Sequence, residues 1–214
     1  MSRAQAFGVS SEKKSLIAAE QSRPDVVERR KNFKLARLFA DPKSFVFLDE
    51  SSAKTNMTRL YGRAPGGQRC IDRTPHGHWK TLTMLSAIGY HGVIEQATVV
   101  VDGSVDSDVF IAYVEQCLVP SLEPGNIVVM DNLSAHQDKR VREMIEAAGC
   151  DLWYLPAYSP DLNPIEKLWS KVKTYLRRVS AKTIDALIQA IVAALRSVGD
   201  DECANYFKAC GYSN

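Results

Sequence analysis

Three acids stand where chemistry is feasible. Asp49 lies at the end of a short apolar run, SFVFLDE (44–50). Asp131 closes another, NIVVMD (126–131). Glu166 enters a helical pattern just after the turn-rich stretch AYSPDLNP (157–164). In sheets with helical crossovers, functional groups gather at strand ends and in the loops beyond them. If the first and fourth strands are neighbours, Asp49 and Asp131 face one another, and Glu166 closes the site from its helix. Three converging carboxylates repel, and a partly buried site tolerates them only when cations compensate. An all-oxygen donor set suits hard ions such as Mg2+ or Mn2+. Two such ions about 3.5–4 Å apart activate an attacking oxygen and stabilise a leaving one in an in-line phosphoryl displacement. Each acid also has a plainer reading. Asp49 beside Glu50 could be a cap or surface charge, and Glu166 could simply answer the helix dipole.

The elements that must position these acids are readable from periodicity and punctuation. The first 40 residues look helical and polar, interrupted at Pro24, and residues 25–39 place Val26, Val27, Phe33, Leu35, Leu38 and Phe39 loosely on one face. The break DPK at 41–43 marks a boundary: a helical linker or remnant of an N-terminal DNA-binding region over 1–43, and a catalytic domain over 44–214. From Ser44 a first strand ends in Asp49. WKTLTMLSAI (79–88) and VIEQATVVV (93–101) read as two further strands about the turn GYHG. Helical spacing follows over 106–119, with Asp106 or Ser107 as N-cap. NIVVMD is the fourth strand, 136–149 a helix ending at Gly149, and DLWYLP (151–156) the fifth strand. Helices over 165–178 and 183–198 and a short helical tail close the chain, with Pro164 suited to the first turn of the Glu166 helix. Strand, strand, strand, helix, strand, helix, strand, helix, helix implies an α/β protein: a mixed five-stranded sheet, antiparallel in its first three strands, flanked by helices.

Composition narrows the class. With 214 residues and 45% hydrophobic content the chain can bury a sizeable core. It has no apolar run long enough for a membrane span, and its first 20 residues lack the apolar core of a secretory signal, so no membrane partner and a cytoplasmic, nucleoid-associated location are expected. Five cysteines without a Cys-x-x-Cys pair argue against a disulfide framework or a zinc ribbon. The net charge of +2 conceals segregation. Residues 51–80 carry Lys54, Arg59, Arg63, Arg69, Arg73 and Lys80 against Asp72 alone. Residues 81–130 carry acids and no Lys or Arg. Residues 167–182 are again basic without an acid. Such sorting points to a polyanion meeting particular faces, although solvated loops and an amphipathic helix would also produce it.

Three blocks then resemble the catalytic blocks of DDE transposases of bacterial insertion sequences, in the IS-six-thirty family of the Tc/mariner superfamily. They are FLDESSAKTNMTRLYGRAP, VVMDNLSAHQ and LPAYSPDLNPIEKLWSKVK. The third is the most specific, and the gap of 34 residues between Asp131 and Glu166 is that group's spacing. The resemblance implies an RNase H-like fold, with Asp49, Asp131 and Glu166 as a catalytic triad holding two Mg2+ or Mn2+ ions. It implies cleavage at the element's ends followed by strand transfer into target DNA, usually at TA. The partners implied are double-stranded DNA, as terminal inverted repeats and target, and a second copy in a synaptic dimer. A helix-turn-helix reader is not expected within the roughly 40 residues that precede the domain. The chain then reads as the downstream frame of a frameshifted element or a truncated relic. An RNase H-like nuclease or resolvase lacks the third block, and a non-transposing DNA-binding remnant is the other alternative.

Supporting roles follow. Asn132 and His136 fit the family's Asp-Asn-x-x-x-His arrangement and either orient a phosphate or water, or fix a turn and cap a helix. Asn163 and Pro164 set the loop that aims Glu166. Trp169 is expected in the core rather than as a base-stacking platform. His76 and His78 are expected to contact backbone or phosphate rather than metal. Lys167, Lys171, Lys173, Arg177 and Arg178, on the Glu166 helix, are expected to meet the phosphates flanking the scissile bond.

Overall fold

In the computed structural model, residues 18–71, 77–132 and 134–212 are described. Five strands, β1 (Phe45–Lys54), β2 (Thr81–Gly89), β3 (Gly92–Asp102), β4 (Ile127–Met130) and β5 (Asp151–Tyr154), form one sheet in the order β3-β2-β1-β4-β5. The β1–β2 and β2–β3 pairs are antiparallel, whereas β1–β4 and β4–β5 are parallel. The mixed sheet expected from element order is therefore the sheet observed, with β1 and β4 adjacent.

Strand alternation divides the core in two. Phe45, Phe47 and Val129 face a cluster built by α4 (Ile165–Val179), α5 (Ile184–Arg196) and α6 (Asp200–Ala209). Val46, Leu48, Val128 and Met130 face the opposite cluster, built with α2 (Ser107–Tyr113) and α3 (Lys139–Ala147). Helix α4 is the best-anchored helix near the acids: it buries Ile165, Leu168, Trp169, Val172 and Leu176. At about 1.5–3 kcal/mol per large apolar side chain, this face dominates the placement of Glu166.

Several boundaries differ from expectation. Strand β1 does not end at Asp49. Its ladder with β2 runs on to Lys54 opposite Thr81, while its pairing with β4 stops at Phe47 opposite Val129. Asp49 therefore sits where one neighbour leaves and the other stays. Pro24 does not interrupt a helix but starts one, α1 (Pro24–Ala36), where a missing N–H costs nothing. The apolar face expected of that segment is not buried as a unit. Val26 and Phe33 are buried, whereas Val27, Leu35, Leu38 and Phe39 are exposed, because α1 meets the domain along one edge only. The helix expected over 106–119 is α-helical only to Tyr113. It then widens into a π turn (Val114–Leu118) just ahead of Pro120, which has no N–H to continue a ladder. Asp106 caps α2 by accepting from the Val109 N–H. Helix α3 starts at Lys139 behind an Asp138 cap, so His136 belongs to a 3-10 turn (Ser134–Gln137) and not to the helix. Gly149, at φ +76°, lies just past its end as expected.

Candidate active site

Asp49, Asp131 and Glu166 line one cleft of about 450 Å3, together with Asn132, Asn163 and the 155–160 segment. Alternation sends Asp49 to the same side of the sheet as Phe45 and Phe47, toward α4. Asp131 follows the last residue of β4, and Glu166 lies exposed in the first turn of α4. The Glu50 backbone N–H donates to Asp49 Oδ1 at 2.8 Å, and the Trp169 indole N–H donates to Oδ2 at 3.2 Å. Trp169 is a core residue, as expected, yet its single polar atom is aimed at the site. Burial pushes the Asp49 carboxyl up to about 7. The Glu50 amide opposes this, while the charges of Glu166 and Asp131 add to it. Desolvation and like charge together mark a site short of cations.

Glu50 points to the opposite face, where His136 meets it. His136 is buried and its ring stacks on Phe110 at 4.2 Å between centroids. Its Nε2 lies 3.3 Å from Glu50 Oε1, and its Nδ1 lies 2.6 Å from Asp131 Oδ1. The Nδ1 contact is a close ion pair. Burial lowers the imidazole's affinity for a proton, but Asp131 and Glu50 outweigh it and hold the group up to about 9. Tyr154 Oη donates to the His136 carbonyl at 2.9 Å and ties this turn to β5. His136 is thus neither a helix cap nor part of the cleft wall. It lies between two acids that favour its protonated form, positioned behind Asp131. Sequence reading missed Glu50 as its second partner, although the adjacent Asp-Glu on a strand already required opposite faces.

Asn132 lines the cleft, and its Oδ1 accepts from Gln137 Nε2 at 2.8 Å. Asn163 is buried, and its Oδ1 has no hydrogen-bond partner among the described residues. A buried amide oxygen without a partner is costly, and here it belongs to a residue of the cleft wall. Among the described residues no three His, Cys, Asp or Glu side chains close into a ready-made metal cage. Yet three acids and an unmatched amide oxygen around one cleft form an oxygen-rich donor set short of positive charge. That chemistry fits a hard divalent cation whose remaining positions are filled by other oxygens.

The basic residues separate. Lys54 ends β1, and Arg59, Arg63 and Arg69 are exposed on the β1–β2 connection; none lines the cleft. Arg73 and His76 lie outside the described residues, while His78 is exposed. On α4, at 100° per residue, Lys173 and Arg177 fall within about 20° of Glu166, whereas Lys167, Lys171 and Arg178 point roughly 100–140° away. Lys171 departs from the expected phosphate role. Its ammonium lies 2.5 Å from Glu202 Oε2 and donates to the Ser197 carbonyl at 2.7 Å, fastening α4 to the start of α6. Arg178 stacks over Tyr175 at 5.0 Å.

A five-stranded mixed sheet with acids at adjacent strand edges and on the following helix defines an RNase H-like protein with a candidate metal-dependent site. Residues 44–188 match the DDE superfamily endonuclease family, and the chain belongs to that family. It is 43% identical over 51 residues to the Tcb2 transposase of Caenorhabditis briggsae and 34% identical over 74 residues to the Tc3 transposase of Caenorhabditis elegans. These matches cover 24% and 34% of this chain, and only 19% and 22% of those relatives. The fold is shared with Mos1 transposase in a paired-end complex with the left transposon end, at a TM-score of 0.79 and 16% identity over 97% of this chain and 65% of that one. It is shared with the isolated catalytic domain of Mos1 mariner transposase at a TM-score of 0.65 and 13% identity, over 93% and 92% of the two chains.

Proposed function

We propose that this chain is the catalytic domain of a Tc/mariner-type transposase that cuts transposon-end DNA and joins it to a target. The observation that carries this reading is the parallel β1–β4 pairing, which brings Asp49 and Asp131 to one cleft facing Glu166. Asp49, Asp131 and Glu166 would hold two Mg2+ or Mn2+ ions, which would supply activation of the attacking oxygen and stabilisation of the leaving one. Mos1 paired-end complexes with Mn and with Mg support that choice of metal. Trp169 and the Glu50 amide fix the two oxygens of Asp49. His136 orients Asp131 from behind. Lys173 and Arg177 extend the Glu166 face and meet DNA phosphates, with Lys54, Arg59, Arg63 and Arg69 engaging DNA farther out and Arg73 also contributing to DNA binding.

The partners are double-stranded DNA, as terminal inverted repeats and a target at TA, and a second copy of the chain in the synaptic complex. Residues 1–43 serve as a helical linker or as the remnant of an N-terminal DNA-binding region. The bacterial insertion-sequence branch rests on the three sequence blocks, whereas the curated relatives named above are nematode elements.

The test is nicking of DNA that carries the flanking inverted repeats, with Mg2+ or Mn2+, comparing the chain with Asp131→Ala. Metal-dependent nicking lost in the variant is expected. DNA binding without nicking in the unaltered chain would instead favour a non-transposing remnant, and nicking without preference for the repeats would favour a general RNase H-like nuclease.

A further inference from the structure

Residues 18–43 grip the loop that leads to Glu166. That loop holds Tyr158 at φ +57°, a left-handed conformation that costs a bulky residue energy and persists only where its surroundings enforce it. Gln21 Nε2 donates to the Tyr158 carbonyl at 2.5 Å. Arg30 Nη1 donates to Ser159 Oγ at 2.7 Å and to Asp161 Oδ1 at 2.9 Å, and Nη2 donates to Asp161 Oδ2 at 2.7 Å. A planar guanidinium forking onto a carboxylate fixes orientation as well as distance. The Asp161 carboxyl is held below its ordinary range chiefly by this bond to Arg30. Arg30 itself is largely covered, with 14% of its side chain exposed. Beside it, Phe33 of α1 meets the Trp153 ring edge-on at 6.0 Å, which seats the helix on β5.

From the gripped residues a continuous chain of backbone bonds leads to the acid. The Leu162 N–H donates to the Ser159 carbonyl, the Asn163 N–H to Pro160, and the Glu166 N–H to Asn163. The same turn carries the cleft wall, including Ser159, Pro160 and the unmatched Asn163 oxygen. We propose that Arg30 is a positioning residue for Glu166: docked α1 holds the Tyr158–Asp161 turn in its strained shape, and that turn sets the first turn of α4 and the metal-binding side of the cleft. This inference rests on the reading of Glu166 as a metal-holding residue. It makes α1 a working support of the site rather than a passive joint.

The experiment compares the 214-residue chain with Arg30→Ala, Asp161→Asn and the charge-swapped Arg30→Asp/Asp161→Arg double variant. Two readouts need no catalysis: amide hydrogen exchange of peptides over 157–168, and calorimetric titration with Mn2+ alone. In Arg30→Ala the loop and first α4 turn should exchange about 10-fold faster or more, with α5 unchanged. Mn2+ binding should weaken by roughly 10- to 100-fold, as for other outer partners of metal ligands. The double variant should recover part of both losses, which a merely destabilised fold would not do. Unchanged exchange over 157–168 in Arg30→Ala overturns the proposal, and so does a loosened loop with unaltered Mn2+ affinity. If Arg30→Ala also loosens α5, the milder Asp161→Asn decides by the same two readouts. If the unaltered chain binds no Mn2+, the metal-site reading fails by itself, while the exchange comparison still decides whether Arg30 holds the loop.

Discussion

Asp49 and Glu50 are neighbours in the chain and opposites in their surroundings. Alternation sends Glu50 to a face where a buried histidine, held protonated, stands between it and Asp131. It sends Asp49 to a face where two neutral N–H groups and two more acids meet it, and no described basic side chain lines the cleft. The fold therefore answers one acid internally and leaves its neighbour to be answered from outside. A chain that can bury an imidazolium beside Glu50 could have done so beside Asp49. Leaving Asp49 short of charge is tolerated either by a retained proton or by cations that arrive with the substrate or before it.

The hardest test of this contrast is to neutralise each acid in turn. Asp49→Asn is expected to lower metal-dependent nicking by more than about 100-fold, beyond the range typical of outer contacts. The same change should raise the metal-free melting temperature at pH 8, because it removes a buried like charge. Glu50→Gln should behave in the reverse sense, retaining much of the activity and losing stability. Equal losses of activity in both variants would break the comparison.

Removing the internal cation comes next. His136→Ala leaves Asp131 and Glu50 without their shared partner and opens space beside Phe110. A loss of about 3 kcal/mol in denaturant unfolding is expected, in line with breaking other buried ion pairs. Nicking should fall roughly 10- to 100-fold with a higher Mn2+ requirement, since Asp131 loses its orientation. His136→Gln keeps much of the bulk and should recover stability more than activity.

The pH profile sharpens the same point. The folded Asp49 carboxyl sits at about 7 against an ordinary 3.8, so the proton it retains stabilises the fold fully below about pH 4 and that stability is lost as the pH rises to 7. His136 sits at about 9 against 6.5, so its contribution is complete below 6.5 and is lost as the pH rises through 9. Both terms slope the same way. Metal-free protein should therefore lose melting temperature steadily from pH 5 to 9. Saturating Mn2+ binds the deprotonated acids and should reverse the slope around pH 6–8. In Asp49→Asn the lower half of the metal-free slope should disappear and the upper half remain.

Much of this was legible in the sequence because buried strands announce themselves. FVFL, IVVM and DLWY are short and apolar or aromatic, and their order with the intervening helices gave the mixed sheet, while the meeting of Asp49 and Asp131 hung on the first and fourth strands being neighbours, as they are. What stayed hidden depends on partners far away in sequence. SSAK has no strand pattern of its own and is extended because β2 pairs with it. Val27, Leu35, Leu38 and Phe39 suggested a buried face, but nothing in the sequence said that α1 would lie on its edge. Arg30 and Asp161 are 131 positions apart and look like any two surface charges. Trp169 was legible as core, while the direction of its N–H was not.

The smallest expected effect concerns the basic face beside the uncompensated acid. Lys173 and Arg177 share the Glu166 side of α4, whereas Lys171 is engaged by Glu202 and the Ser197 carbonyl. If DNA phosphates lie along the cleft, Lys173→Ala and Arg177→Ala should each reduce the slope of log binding constant against log salt by about 1. Lys171→Ala should leave that slope unchanged and cost under about 1 kcal/mol of stability, as expected for a partly exposed ion pair. Measuring binding to end DNA without metal between low and moderate salt separates the three variants. A slope reduced by Lys171→Ala but not by Lys173→Ala would rotate the DNA path around α4, away from Glu166. The cleft that lacks cations would then not be the place where the polyanion lies.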